Sequence, residues 1–334
     1  MAEPTVAAGF VSGLIDLAVQ KGADRAELAA RSGIDPNAIE DQDNRIPFES
    51  YVALMQAAKA LTGDPALALH FGETVDIREM SIVGLLGQAC ESVMEAFAQV
   101  NRYARLGVDV DLGGGERLEL VQADDGLWLV DRRPDPNACP ELTESGFARM
   151  AASARRLGAP EAIREVRVTH PTPPYRAEYD RIFGVPVTFD SDWNGLRIDP
   201  AMMNMKLALQ PRYVFGILSE RADALLRELE DSRTTKGRVE AMLMPMLHTG
   251  EASIEAVAGK MGLSRQTLYR RLKAEGATFE QLLDDLRHRL AIDYLDGRKV
   301  SVNETAYLVG FSDRAAFSHA FKRWTGTSPG AWRR

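Results

Sequence analysis

Cysteine is almost absent from this chain: Cys90 and Cys139 are the only two in 334 residues. Two thiols cannot staple a disulfide scaffold, so a pair of reduced thiols in a cytoplasmic protein is expected. No uninterrupted run of about 18 apolar residues exists, the length a membrane-spanning helix needs. The stretch Met1 to Ala8 carries Glu3 and no basic cluster, so a secretory signal is not expected. Low-complexity tracts are missing too, and 45% hydrophobic with 26% charged residues is the composition of folded domains. Catalytic signatures are equally scarce. His70 with Glu73, and His170, have no nucleophile motif, metal-ligand spacing or nucleotide-binding loop around them. No enzyme, metal or cofactor is therefore expected, and both histidines read as structural or ligand-pocket residues.

Positive charge is also in deficit, with a net charge of −8 that by itself argues against a nucleic-acid partner. Its distribution reverses that argument. From Lys236 onward there are 16 Lys+Arg against 11 Asp+Glu, a surplus of 5, while the remainder has 24 against 37, a deficit of 13. An acidic body joined to a basic C-terminal third is expected when only one domain meets phosphate.

That basic third contains one pattern written twice. The first copy runs from Ile254 to Leu272 and the second from Val302 to Phe321. Ala258, Gly262 and Ser264 recur 48 residues later as Ala306, Gly310 and Ser312; past the turn the offset is 49, pairing Leu268 and Leu272 with Phe317 and Phe321. Each copy reads as a helix-turn-helix. The alanines let two helices pack closely, the glycines close the first helix with positive φ, and Ser264 and Ser312 are expected to cap the second. Leu268/Leu272 and Phe317/Phe321 form the inner ridge of the second helix at four-residue spacing. Its outer face carries Arg265, Gln266, Tyr269, Arg270 and Lys273 in the first copy, and Arg314, Ser318, His319, Lys322 and Arg323 in the second. Such donors can meet base edges and phosphates from a helix in the major groove, whereas the alternative is a solvated basic face.

Between the copies, Thr278 and Gln281 make a capping box for a helix ending near Asp296, with Phe279, Leu282, Leu283, Leu286 and Leu290 inward and Gly297 as its stop. Some 18 residues give a rod of roughly 27 Å, comparable with the spacing of about 34 Å between successive major grooves on one face of a duplex. Ser301 and Glu304 make a second box at the start of the second copy.

Residues 237–333 resemble the DNA-binding domain of the AraC/XylS family of bacterial transcription regulators. The most specific stretch is Gly310-Phe-Ser through Phe317 and Phe321 to Gly326-Thr-Ser-Pro329. Trp332 stands where the family usually has Tyr, and His319, whose charge depends on pH, where it often has Arg. By this resemblance Arg265, Gln266, Tyr269 and Arg270 serve the first groove, and Arg314, Ser318, His319 and Lys322 the second. Lys273, Lys322 and Arg323 are expected at phosphates.

Upstream, residues 1–107 read as helical. Arg25 to Asp43 imitates a third helix-turn-helix, but its would-be reading segment is short and acidic, so it is expected to be structural. Helices are expected over Pro47–Thr62, from Asp64-Pro65 through Phe71, and from Ser92 through Leu106. Val108 to Leu112 alternates at period two, a glycine turn starts at Gly113, and strands follow at 117–121 and 127–130 around the Asp124-Asp-Gly126 turn. A helix from Leu142 to Leu157, strands at 165–169, 185–189 and 195–198, and a short helix over Glu178–Phe183 complete an α+β pattern. Gly33-Ile-Asp-Pro, the Gly63 to Gly72 stretch, Gly84-Leu-Leu-Gly and Gly195-Leu-Arg-Ile-Asp resemble the effector domain of the "arabinose-binding-like" AraC subfamily. The resemblance implies a small organic effector and self-association as a homodimer, with RNA polymerase as a further partner; no residue specifies a sugar. Arg78, Arg102 and Tyr103 are pocket candidates equally compatible with core or surface.

The expected organisation is a sensing and self-association domain over 1–211, ending at Gln210-Pro211, and an all-α DNA-binding domain over 237–334. Between them, 212–236 form a helix and a polar linker at Asp231–Gly237. In that helix Phe215, Leu218, Ala222, Leu225 and Leu229 form a seam that either contacts a second copy or packs on its own domain. The resulting reading is a sequence-specific regulator of double-stranded DNA; the alternatives are a ligand-independent architectural binder and a double helix-turn-helix enzyme of the alkyl-transfer repair type. The last would need a reactive cysteine cluster that Cys90 and Cys139 do not supply.

Overall fold

Short strands open the chain and pair at a distance. β1 (Thr5–Ala7) lies between β2 (Arg45–Pro47) and β3 (Val108–Asp109), antiparallel to both. Arg45 binds this small sheet together by donating to the Thr5 hydroxyl and to the Leu106 carbonyl. The expectation that residues 1–107 are helical therefore needs correcting at β1 and β2, and β3 pairs with β1 rather than with the hairpin after it. The structure, a computed structural model, describes residues 3–110, 115–207, 212–249, 252–297 and 300–333. The turn starting at Gly113, the end of the strand reading at 111–112 and the Gln210-Pro211 segment lie outside the described residues.

Around that sheet fold α1 (Ala8–Gln20), α2 (Arg25–Ser32), α3 (Phe48–Thr62), α4 (Leu67–Thr74), α5 (Ile77–Met80), α6 (Ile82–Gln88) and α7 (Val93–Gly107). α2 ends at left-handed Gly33, but only a four-residue 3-10 turn, Pro36–Ile39, follows, so the imitation helix-turn-helix has no reading helix. The second sheet contains β4 (Leu118–Ala123), β5 (Gly126–Asp131), β6 (Ile163–Arg167), β7 (Val187–Thr188) and β8 (Asn194–Ile198) in the order β4-β5-β8-β6-β7. All its pairs are antiparallel except β6 with β7. Helices α8 (Pro140–Arg156), α9 (Arg176–Phe183) and α10 (Pro200–Met203) flank it.

α8 is the common wall of two cores. Leu142 joins the helical core of Val11, Leu14, Leu28, Leu54 and Phe71, while Phe147, Ala148 and Ala151 join the sheet core of Val166, Tyr179 and Leu196. α4 packs on α8 at Gly72, where a Cβ would lie 2.1 Å from the Ser145 carbonyl oxygen; only glycine permits so close an approach. His70 bridges Asp64 (2.7 Å) and Glu178 (2.9 Å), and His170 sits between the Pro171 carbonyl and the Tyr179 hydroxyl. Both histidines join elements of the fold.

α11 (Arg212–Arg233) follows, and the chain divides into two compact units, Met1–Leu226 and Arg227–Arg334. In α11 Ala222, Leu225 and Leu229 are buried within the chain, whereas Tyr213 and Ile217 are exposed. Asp223 accepts from Arg102 and from the Tyr103 hydroxyl. The stretch expected as a polar linker is largely helical: α11 reaches Arg233 and α12 (Thr235–Leu243) begins two residues later, capped by Thr234.

The C-terminal unit continues with α13 (Ile254–Lys260), α14 (Arg265–Ala274), α15 (Phe279–Asp296), α16 (Val302–Leu308), α17 (Arg314–Thr325) and α18 (Pro329–Trp332). α15 is again a wall shared by two cores. Phe279, Leu282 and Leu286 pack with Val257, Leu268 and Leu272, and Ala291 and Leu295 pack with Ala306, Phe317 and Phe321. Among the described residues no helix is long and apolar enough to cross a membrane, and no cluster of His, Cys, Asp and Glu could hold a metal ion.

Candidate nucleic-acid interface and internal cavity

Each reading helix is held by the physics of its own turn. In the first copy Gly262 takes φ +65° and the Ser264 hydroxyl caps α14 by accepting from the Thr267 amide at 3.1 Å. In the second, Gly310 takes φ +80°, and a Cβ there would also lie 2.3 Å from the Leu247 carbonyl oxygen. The cap of α17 is Asp313, which accepts from the Ala316 amide at 2.8 Å, and not Ser312 as the repeat suggests. The one-residue step in offset thus falls before the cap: Ser264 corresponds to Asp313, 49 residues on. A carboxylate and a hydroxyl are nearly equivalent N-caps, which makes the shift easy to miss.

Both capping boxes are formed, Thr278 with Gln281 at α15 and Ser301 with Glu304 at α16. Two joints that the sequence did not announce lock the second copy to α15. Arg287 donates from Nε to the Val309 carbonyl (3.1 Å) and from Nη2 to the Gly310 carbonyl (3.0 Å), satisfying the end of α16. Asp284 accepts from the Trp324 indole (2.9 Å) and from Arg323 (2.8 Å). Trp332 donates to Asp296 and meets Phe321 edge to face.

On these frames Leu268, Leu272, Phe317 and Phe321 are buried, and the opposite faces point outward. Arg265, Gln266, Tyr269, Arg270 and Lys273 are all exposed on α14, and Arg314, His319, Lys322 and Arg323 on α17, with Ser318 half-buried. Arg265 pairs with Glu255 and Arg323 with Asp284, both at the surface. Exposed pairs of this kind contribute little and exchange readily for a phosphate, so the second joint to α15 rests on the part-buried Trp324–Asp284 bond. No intramolecular hydrogen bond or ion pair among the described residues occupies the side chains of Gln266, Tyr269, Arg270, Lys273, Arg314, His319 or Lys322.

The N-terminal unit instead contains a cavity. A cavity of about 670 Å³ lies among α3, α5–α8, β4, β5 and β8, with walls made mostly of Leu, Val, Ile, Phe and Met side chains such as Phe97, Leu120, Leu129 and Met203. That is the size of a site for one small organic molecule. Of the three pocket candidates, Arg78 lies on this wall, where Asp76 pairs with it and is held below the usual carboxylate range. Arg102 and Tyr103 instead pair with Asp223. Cys90 and Cys139 are buried, and burial pushes both thiols up to about 11, which leaves no reactive thiolate.

Residues 22–207 match the family model described as "Arabinose-binding domain of AraC transcription regulator, N-term", and residues 257–334 match that of a helix-turn-helix domain. The chain is similar to the ornithine utilization regulator of Pseudomonas aeruginosa, 29% identical with 98% of this chain and 96% of the relative covered. It is also similar to the HTH-type transcriptional regulator VirS of Mycobacterium tuberculosis, 24% identical over 96% of this chain and 94% of that one. Among solved structures, the transcriptional regulator CdpR of P. aeruginosa covers 92% of this chain and 96% of its own at 23% identity, with a TM-score of 0.40. With an N-terminal domain of that type matched over more than half its length and a helix-turn-helix domain behind it, this chain belongs to the AraC family of DNA-binding transcription regulators.

Proposed function

We propose that the protein is a sequence-specific regulator that reads two tandem half-sites in successive major grooves under control of a small organic effector. The observation that carries this reading is the set of exposed side chains without internal partners on α14 and α17, opposite ridges buried against a common helix. Arg265, Gln266, Tyr269 and Arg270 address the first groove and Arg314, Ser318, His319 and Lys322 the second, with Lys273, Lys322 and Arg323 at phosphates. In this reading 1–211 sense the effector and support a homodimer, 212–236 connect, and 237–334 bind promoter DNA beside RNA polymerase in the cytoplasm. A purely architectural binder would have no use for the cavity.

Arg270→Ala should cost about 1–3 kcal/mol of discrimination between cognate and scrambled sites. Fluorescence anisotropy at fixed salt checks this; unchanged discrimination removes α14 from base reading. A thermal-shift panel of small organic compounds tests the effector half of the reading. Ornithine belongs in that panel because one relative is named for ornithine utilization.

A further inference from the structure

The cavity wall carries Arg78, Arg117, Arg149 and Arg156 against Asp76 and Asp131; Arg156 is exposed and bonds the Ser153 hydroxyl, which leaves Arg149 as the buried part of the surplus. Arg78 is paired with Asp76, and Asp131 is shared between Arg133 (2.9 Å) and Arg117 (3.8 Å). Glu141 is held by Lys59 and Gln56. Arg149, in the middle of α8, has no such partner. Its Nε is buried without an acceptor, and among the described residues no carboxylate pairs with its guanidinium. The charges that reach it are those of Arg117 and Arg156, which oppose its own, together with the Tyr51 hydroxyl. Its guanidinium lies over the rings of Phe10 (5.4 Å) and Phe71 (5.8 Å), which steady a cation but do not neutralise it.

Arg149 keeps some accessible surface, yet burial lowers it to about 10; both follow from a side chain whose open side is the cavity. It stays charged at neutral pH all the same. Beside it the Tyr51 hydroxyl, its ionisation suppressed first by burial, has no hydrogen-bond partner among the described residues, and Arg117 Nε has none either. Ser81 Oγ is a further orphan on the wall. A buried cation with adjacent unused donors is costly to the empty protein and is repaid by an anion.

We propose that this cavity takes a monocarboxylate with an apolar body, the carboxylate on Arg149 beside Tyr51 and Arg117, the body against the aliphatic and aromatic wall. This rests on the sensor reading above. An amine would meet two arginines and no free carboxylate. A sugar would leave its hydroxyls against Leu, Val and Met, and a phosphate's second charge would need a second free buried cation, whereas Arg117 already shares Asp131 and Arg156 is exposed. A guanidinium fits a carboxylate in two parallel hydrogen bonds.

The test is a set of matched probes on the full chain: hexanoate, decanoate and 3-phenylpropionate, each with its amide, plus hexylamine and arabinose as cationic and neutral controls. At least one acid should raise the melting temperature and bind at least tenfold tighter than its amide by calorimetry. That preference should vanish in Arg149→Met, while the ligand-free melting temperature of Arg149→Met stays equal or rises, because an uncompensated charge is removed. A fall in that temperature would mark Arg149 as merely structural and overturn the proposal. Equal binding of acid and amide, survival of the preference in Arg149→Met, or binding of the amine or the sugar without any acid would overturn it too, while leaving the sensor reading in place. No shift from any of these probes or from the wider panel would sink both.

Discussion

In the N-terminal unit α8 separates two apolar cores, and in the C-terminal unit α15 has the same place. What differs is where each unit leaves its donors. Around α8 the cores stand apart enough to leave a half-open cavity of about 670 Å³, and Arg149 and Arg117 line that space. Around α15 the cores close on Leu268, Leu272, Phe317 and Phe321, and the arginines of α14 and α17 point outward. A hollow unit with inward cations suits a small anion; a filled unit with outward cations suits a polyanion too large to enclose. On the proposals above, the same residue type would serve two partners, with packing deciding which.

The strongest way to break this contrast is to hollow the filled unit. Phe317→Ala should destabilise the C-terminal unit by about 3–5 kcal/mol and abolish two-site DNA binding, measured by urea denaturation and anisotropy. A loss below about 1 kcal/mol would mean that the second core is not packed as described. Adding volume sharpens the same point. Ala306→Leu, in the filled core, should cost about 1–3 kcal/mol, whereas Ala96→Leu, on the cavity wall, should stay within about 1 kcal/mol of the parent. Equal costs would show that the cavity is as tight as a core. The smallest effect belongs to the outward cations taken singly. Lys322→Ala should weaken binding evenly across sequences and reduce the slope of log affinity against log salt by about 1.

Much of the C-terminal unit was legible, because caps and turns are local. Thr278 with Gln281 and Ser301 with Glu304 close the boxes their spacing announces, and Gly262 and Gly310 take the positive φ the turn requires. The cap at Asp313 was hidden by a neighbouring serine that could have served equally well. Arg287 was invisible as a joint, since its acceptors are main-chain carbonyls 22 and 23 residues away and no side-chain pattern marks them. Strands β1 and β2, three residues each, are too short to show any alternation and exist through pairing. The cavity was the least legible feature. Its wall draws on helices and strands from Phe10 to Leu207, and Arg149 is set apart by the acid it lacks, which no sequence displays.

The claim on which the rest depends is that α15, 18 residues and so about 27 Å long, fixes the two reading helices at one spacing. Binding to a cognate site with about 5 or 10 base pairs inserted between its half-sites, half a turn and a full turn of duplex, tests it directly. Both insertions should lower affinity to that of a single half-site, since a stiff rod can neither rotate nor stretch. Full affinity with the one-turn insertion would show that the two heads move independently and would contradict the account.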